Sequence, residues 1–119
     1  MPLDTSADLQ ERVLCVEQVV SLLVTGKYQE LEWLSRGVRL DATAIQRAVS
    51  SYGRTLVAPP ATGPGPDWVR IGSAFPPEWS VDVPLFTAEE GRSDLTLSLT
   101  LRQNGSGRYR VEIDDLHVL

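Results

Sequence analysis

The chain has 119 residues, of which 42% are hydrophobic and 23% charged, a composition typical of one globular domain whose core needs no metal or disulfide. Its net charge of -5 argues against binding to nucleic acid or to an anionic membrane. One cysteine and one histidine cannot form an intramolecular disulfide or the usual zinc cage, and we expect no cofactor and no metal.

The most apolar stretch of the chain, residues 13–24, is too short for a membrane span, which takes about 20 residues. Asp4 and Asp8 precede it, whereas a secretory signal begins with a basic segment. Leu14 stands where a lipidation site before Cys15 requires a small residue. We therefore expect a cytoplasmic protein. Ten of its eleven basic residues are Arg, which is typical of a GC-rich bacterial genome.

Helical periodicity predicts three helices in the first half of the domain, residues 6–53. The first runs from about residue 8 to 25, and a short second helix ends before residue 37. The expected N-terminal caps are Asp8 or Ser6 for the first helix and Asp41 for the third. The three helices are expected to end at or before Gly26, Gly37 and Gly53, respectively.

The segment 59–66 contains four prolines and two glycines and is predicted to be a loop. The sheet half, residues 67–119, then shows an apolar period of two. A strand is predicted from Trp68 to Phe75, and a half-buried strand follows from Trp79. Pro84 cannot donate a hydrogen bond, which favours an edge position or a bulge.

Four leucines and three hydroxyl residues alternate over residues 95–101, which predicts a strand with one buried face. The turn 104–107 indicates a hairpin to a last strand that begins near Tyr109. Leu116 and Val118 have changed parity relative to Ile113. We expect a bulge at the intervening aspartates to restore the register, and all three apolar side chains to be buried.

These elements predict an α+β fold in which three N-terminal helices pack on a curved antiparallel sheet of about four strands. The order resembles the cone-shaped cystatin-like architecture, including its nuclear-transport-factor-2-like branch. That resemblance concerns the fold and implies no activity.

Three segments carry a more specific resemblance: residues 80–87, SVDVPLFT; residues 89–97, EEGRSDLTL; and residues 113–119, IDDLHVL. Together with residues 52–56 and 59–60, they resemble a bacterial family of small domains of unknown function. The resemblance covers about two thirds of the chain. It implies no catalytic residue, cofactor or partner.

Two acidic clusters are candidate sites for binding a protein partner. The loop 89–94 between two strands presents carboxylates around one arginine, and such loops either keep strand ends soluble or carry recognition. A second cluster lies near the C-terminus. The candidate partner-binding residues are Glu89, Glu90, Arg92, Asp94, Asp114 and Asp115.

A catalytic interpretation has weaker candidates in Asp115, His117 and Asp82. A carboxylate beside His117 would raise its basicity and allow general-base chemistry. Metal binding at this cluster lacks enough ligands, even with Glu112. Asp82 and Tyr52 are the polar pair suggested for a ligand cavity between helices and sheet. Its aromatic lining, which would equally suit a core, would be Trp33, Trp68, Trp79, Tyr28 and Tyr52. Cys15 is expected to be a buried small hydrophobic residue.

Two functional hypotheses follow. The first is a small acidic, non-enzymatic interaction module, such as an immunity-type or accessory protein, that binds a basic protein partner or a second copy of itself. The alternative is a cone-fold ligand-binding protein or an isomerase- or dehydratase-like enzyme that uses a buried carboxylate or His117. A deep cavity enclosing Asp82, Tyr52 or His117 would favour the alternative.

Overall fold

The computed structural model describes residues 6–119 and contains three helices followed by a five-stranded antiparallel sheet that is not closed into a barrel. The predicted α+β class and the N-terminal position of the helices are confirmed. The elements are α1 (Ser6–Val24), α2 (Tyr28–Ser35), α3 (Ala42–Tyr52), β1 (Leu56–Val57), β2 (Asp67–Arg70), β3 (Glu78–Thr87), β4 (Gly91–Gln103) and β5 (Tyr109–Val118).

The helix ends follow local chemistry. The Asp41 side chain caps α3 by accepting the Ala44 N–H at 2.8 Å, and Gly53 ends α3 in the left-handed conformation, both as predicted. α1 already begins at Ser6 among the described residues, so Asp8 lies in its first turn rather than at its cap. The side chain of Asp8 is directed instead to Arg12 and to the sheet.

Strands β3, β4 and β5 are neighbours in that order, and both β1 and β2 pair with the other side of β3. The strand predicted from Trp68 to Phe75 is wrong in its second half, because β2 ends at Arg70. Beyond it, Ile71 donates its N–H to the Glu78 carbonyl and Ala74 donates to the Ile71 carbonyl. The chain therefore turns early and runs back into β3.

Pro84 lies in a gap on one side of β3. β1 pairs with residues 86–87 of β3 and β2 with residues 79–82, so neither strand faces residues 83–85. A register shift between β3 and β4 falls directly after Pro84. The predicted bulge is confirmed, and although β3 as a whole has strands on both sides, Pro84 itself has no strand opposite it on this side, as at a sheet edge. A residue without an N–H suits this gap.

The hairpin of β4 and β5 has the predicted turn at residues 104–107, where Asn104 accepts the Ser106 N–H. The predicted bulge is also confirmed: Ser98 lies opposite Asp115 and Leu99 opposite Ile113, which leaves Asp114 as the extra residue. Ile113 and Leu116 are buried as expected, but Val118 is 58% exposed. Val118 lies opposite Leu95 in the last pair of the edge strand β5.

The core lies between the helices and one face of the sheet. Buried valines of α1, Leu31 of α2 and Ile45 of α3 pack with the leucines of β4. The buried apolar residues of the sheet are Trp79, Val81, Val83, Leu85, Leu95, Leu97, Leu99, Leu101, Val111, Ile113 and Leu116. The helices therefore occupy the leucine face and leave the opposite, polar face for other contacts.

Candidate functional site

The polar face of the sheet carries an acidic row that runs across four strands. Asp67 of β2 pairs with Asp82 of β3, Asp82 with Ser98 of β4, and Ser98 with Asp115 of β5. Neighbouring strands lie about 4.8 Å apart, so Asp67 and Asp82 are close neighbours with like charges. We call Asp67, Asp82 and Asp115 the carboxylate row.

The carboxylate row has few compensating contacts within residues 6–119. Asp82 accepts a hydrogen bond from the Ser98 hydroxyl at 2.7 Å, and Asp115 accepts the N–H of Leu116 at 2.9 Å. All three aspartates are exposed. No Arg or Lys of the described residues forms an ion pair with Asp67 or Asp82, so the row presents concentrated negative charge to solvent.

His117 lies beside Asp115, as the catalytic interpretation required. Its Nδ1 atom is 3.3 Å from Asp115 Oδ2. His117 faces Thr96 on β4, whereas Asp82 lies on β3 in the next row of pairs, so the three candidate catalytic residues share a face without converging on one point. Within residues 6–119, no group of three or more His, Cys, Asp or Glu side chains could hold a metal ion.

The other charges on this face neutralise one another. Arg102 lies between Glu112, at 3.1 Å, and Glu78, at 2.6 Å, and its hydrogen bonds to these carboxylates raise the pKa of the guanidinium. Arg110 is a second cation, 3.8 Å from Glu112. Asp114, at the β5 bulge, pairs with Arg39 at 2.7 Å and accepts the Thr100 hydroxyl at 2.6 Å. The uncompensated charge is therefore concentrated in the carboxylate row.

Four of the candidate partner-binding residues, predicted to share the loop 89–94, lie where β3 turns into β4: Glu89 and Glu90 are in the loop, whereas Arg92 and Asp94 already belong to β4. Glu89 accepts hydrogen bonds from the N–H and the hydroxyl of Thr55, which lower its pKa. Glu90 accepts the Tyr52 hydroxyl at 2.8 Å. These bonds tie the loop to the end of α3. Glu89 and Glu90 thus have a structural use, whereas the side chains of Arg92 and Asp94 are exposed.

Arg12 is a buried cation that the sequence analysis missed. It is 1% exposed, its guanidinium carbon lies 3.8 Å from the Trp79 ring centre and 4.7 Å from that of Trp68, and its Nε donates to Asp8 at 2.9 Å. A signal for its burial existed, because Arg12 falls at helical spacing with the buried valines of α1.

Tyr109 joins this cluster from β5. Its hydroxyl donates to Asp8 Oδ1 at 2.6 Å. Burial raises the pKa of the Tyr109 phenol to about 12, and the bond to the Asp8 carboxylate acts in the same direction. Two of the aromatic residues suggested for a cavity, Trp68 and Trp79, thus surround a side chain of the protein itself, while Trp33 is 81% exposed.

Two grooves flank α1. The larger, about 1110 Å³, is lined by charged and polar residues together with Trp33 and Cys15. Cys15 was expected to be buried but is only half-buried. Its partial burial and, to a smaller extent, the negative charge of Glu11 raise the pKa of the thiol. The smaller groove, about 530 Å³, lies between α1 and the loop 58–66. Asp82, Tyr52 and His117 line neither groove.

The family model described as a domain of unknown function, DUF7668, matches residues 20–119. The chain belongs to the DUF7668 family. Comparison with the curated proteins and with the solved structures found no match. The similarity to cystatin-like architectures therefore stays a prediction.

The DUF7668 match includes all five strands and hence the complete carboxylate row. It begins within α1, after Asp8 and Arg12. No helix among residues 6–119 has the length and hydropathy to cross a membrane. The polar face thus lies within the region that the family model matches.

Proposed function

We propose that this DUF7668 chain is a small, non-enzymatic interaction module that binds a basic protein partner through the carboxylate row. The observation that carries the proposal is the alignment of Asp67, Asp82 and Asp115 across four strands on the face opposite the helices. A nearby Arg or Lys in the same chain would weaken this charge, and Asp67 and Asp82 have no such ion pair within residues 6–119.

Electrostatics favours a cationic partner. Like charges directly opposite on neighbouring strands destabilise a sheet, by an amount on the order of 0.2–1 kcal/mol per pair. A lysine or arginine placed over Asp67 and Asp82 would relieve that repulsion. The concentrated negative field would also steer a basic partner and raise the association rate. An immunity-type protein that occludes a cationic cleft is one form of this function.

A peptide titration tests the electrostatic part of the proposal. Hexa-arginine is added to the ¹⁵N-labelled protein at two salt concentrations, with hexa-glutamate as the control peptide. We expect shifts of the amide signals around Asp67, Asp82 and Asp115 with hexa-arginine only, and weaker binding at higher salt. Shifts confined to the helical side would contradict the proposal.

A matched pair of variants tests whether position rather than net charge matters. The first carries Asp67→Asn, Asp82→Asn and Asp115→Asn; the second carries Glu11→Gln, Glu17→Gln and Glu30→Gln on the helices and changes the net charge equally. We expect the first to bind hexa-arginine about tenfold or more weakly and the second to bind nearly as wild type. Equal losses would contradict a role for the row.

Purification from the producing cell extends the test to the natural partner. Wild-type protein should retain a partner of net positive charge, and the triple-asparagine variant should lose it. A partner held equally by both proteins would overturn the proposed site.

The alternative of a cone-fold ligand-binding protein or enzyme has less support. Asp82 is exposed and His117 is half-buried on the open polar face, whereas that function needs one of them inside a cavity. His117 contacts Asp115, but neither side chain lines one of the two grooves beside α1.

A further inference from the structure

The connection between β1 and β2 is longer than its path requires. Nine residues, 58–66, connect two strands that lie along the same side of β3, and they pass only residues 83–85 of that strand. A continuous strand would cross this gap with about one residue for each residue of its partner. The segment 58–66, which we call the strap, therefore contains more residues than a straight path along β3 needs.

The strap is held against the sheet by close packing at Gly63. A Cβ atom at this position would lie 3.0 Å from the Phe86 ring and 3.0 Å from the ring of Pro60. Gly63 also donates its N–H to the Pro60 carbonyl at 3.0 Å. Prolines make up four of the nine strap residues and restrict its conformations further. The strap therefore packs in one defined conformation and lines the groove on the side opposite α1.

The smaller groove, between the strap and α1, has the size and character of a small-molecule site, and we call it the strap groove. Its volume is about 530 Å³, within the usual range of roughly 300–1000 Å³ for such sites. One wall consists of successive turns of α1, with Val13, Val16, Val20 and Val24. Prolines of the strap and Val83 with Pro84 complete an apolar lining.

Charge selects among apolar ligands. Glu17 is the single charged residue lining this groove among residues 6–119, and Ser21 follows it one turn later on α1. Thr25 also lines the groove, but its hydroxyl donates to the Ser21 carbonyl at 2.8 Å. A lone carboxylate beside an apolar surface repels the head group of a fatty acid and attracts a protonated amine.

We propose that the strap groove binds an amphiphilic amine, a small molecule with an apolar body and one protonated amino group. The apolar body lies between the strap and the valines of α1, and the amine donates to the carboxylate of Glu17. This site is separate from the carboxylate row and does not depend on the interaction function proposed above.

Three probes with the same alkyl chain test the predicted selectivity: octylamine, octanol and octanoate. Binding is measured by titration calorimetry, and the site is located by shifts of ¹⁵N amide signals. We expect octylamine to bind most tightly and octanoate least, with shifts in α1 and the strap. Octanoate binding as tightly as octylamine would overturn the proposal, as would shifts located only at the polar face.

Variants of α1 locate the site. Glu17→Gln should weaken octylamine binding about tenfold and abolish its advantage over octanol, and Glu30→Gln is the matched control. Val13, 36% exposed, lines the groove, whereas its neighbour Leu14, 60% exposed, does not. Val13→Trp should therefore block all three probes, and Leu14→Trp should not.

The two proposed sites are tested independently by crossing their variants. The triple-asparagine variant of the carboxylate row should keep octylamine binding, and Glu17→Gln should keep hexa-arginine binding. Unchanged octylamine affinity in both Glu17→Gln and Val13→Trp would exclude the strap groove. Loss of octylamine binding in the triple-asparagine variant would show that the amine binds the polar face instead.

Discussion

Arg12 and Trp79 form the closest contact between a cation and an aromatic ring in the described chain, with the guanidinium carbon 3.8 Å from the centre of the indole. The ring of Trp68 lies at right angles to that of Trp79, with the two centres 6.3 Å apart, so two aromatic faces surround one cation. Arg12 also pairs with Asp8, which accepts the Tyr109 hydroxyl. One end of α1 is thereby fixed to β2, β3 and β5.

Replacement of Arg12 should destabilise the fold strongly. Arg12→Met removes a buried ion pair and the contacts with both indoles, and we expect a loss of about 3–5 kcal/mol in the free energy of unfolding, measured in urea. Arg39→Met is the control, since Arg39 pairs with Asp114 at the surface, and should cost about 0–1 kcal/mol. Equal losses would contradict a structural role for the buried cation.

Two positions of β5 should respond very differently to truncation of the side chain. Leu116 is buried, so Leu116→Ala should lower the free energy of unfolding by about 2–5 kcal/mol. Val118 is largely exposed, and Val118→Ala should cost no more than about 0.5 kcal/mol. Thermal and urea unfolding of both variants measure the difference. A large effect at Val118 would show that it is covered in solution.

The stability of the protein should fall at high pH through Tyr109. Its pKa is about 12 in the folded protein, compared with 10.0 ordinarily, because burial and the bond to Asp8 favour the neutral phenol. This stabilisation is fully present below pH 10 and is lost as the pH rises through about 12. Tyr109→Phe should therefore show a shallower loss of stability over that interval. It should also lose the latest phase of the tyrosine absorbance titration at 295 nm.

Asp67 should lower the stability of the fold although it contributes to the proposed binding of a basic partner. It faces Asp82 directly, so Asp67→Asn should raise the free energy of unfolding by about 0.2–1 kcal/mol at low salt, and added salt should reduce the gain. Asp114→Asn is the comparison, because it weakens contacts with Arg39 and Thr100 and should lower stability. A destabilising effect of Asp67→Asn would show that this carboxylate has a stabilising partner.

Local patterns in the sequence were sufficient for most of the fold. The Asp41 and Gly53 caps, the turn at residues 104–107 and the bulge before Leu116 each depend on a few neighbouring residues, and all are present in the structure. The strand predicted to Phe75 failed because an apolar segment with suitable alternation can turn back before its proline pair. The predicted burial of Val118 was wrong because alternation assigns a side chain to one face of the sheet but does not show whether anything covers it there.

The sequence by itself determined the α+β class, the order of helices and strands, and the family resemblance, since these follow from periodicity, turn residues and motifs within short segments. Only the tertiary structure decided which charges lie together. Asp67 and Asp115 are 48 positions apart and enter one row only because β2, β3, β4 and β5 pair in a particular register. The strap groove likewise depends on a long connection meeting α1, and Arg12 is buried because two distant tryptophans enclose it. Such relationships arise from packing between distant segments, which no local pattern encodes.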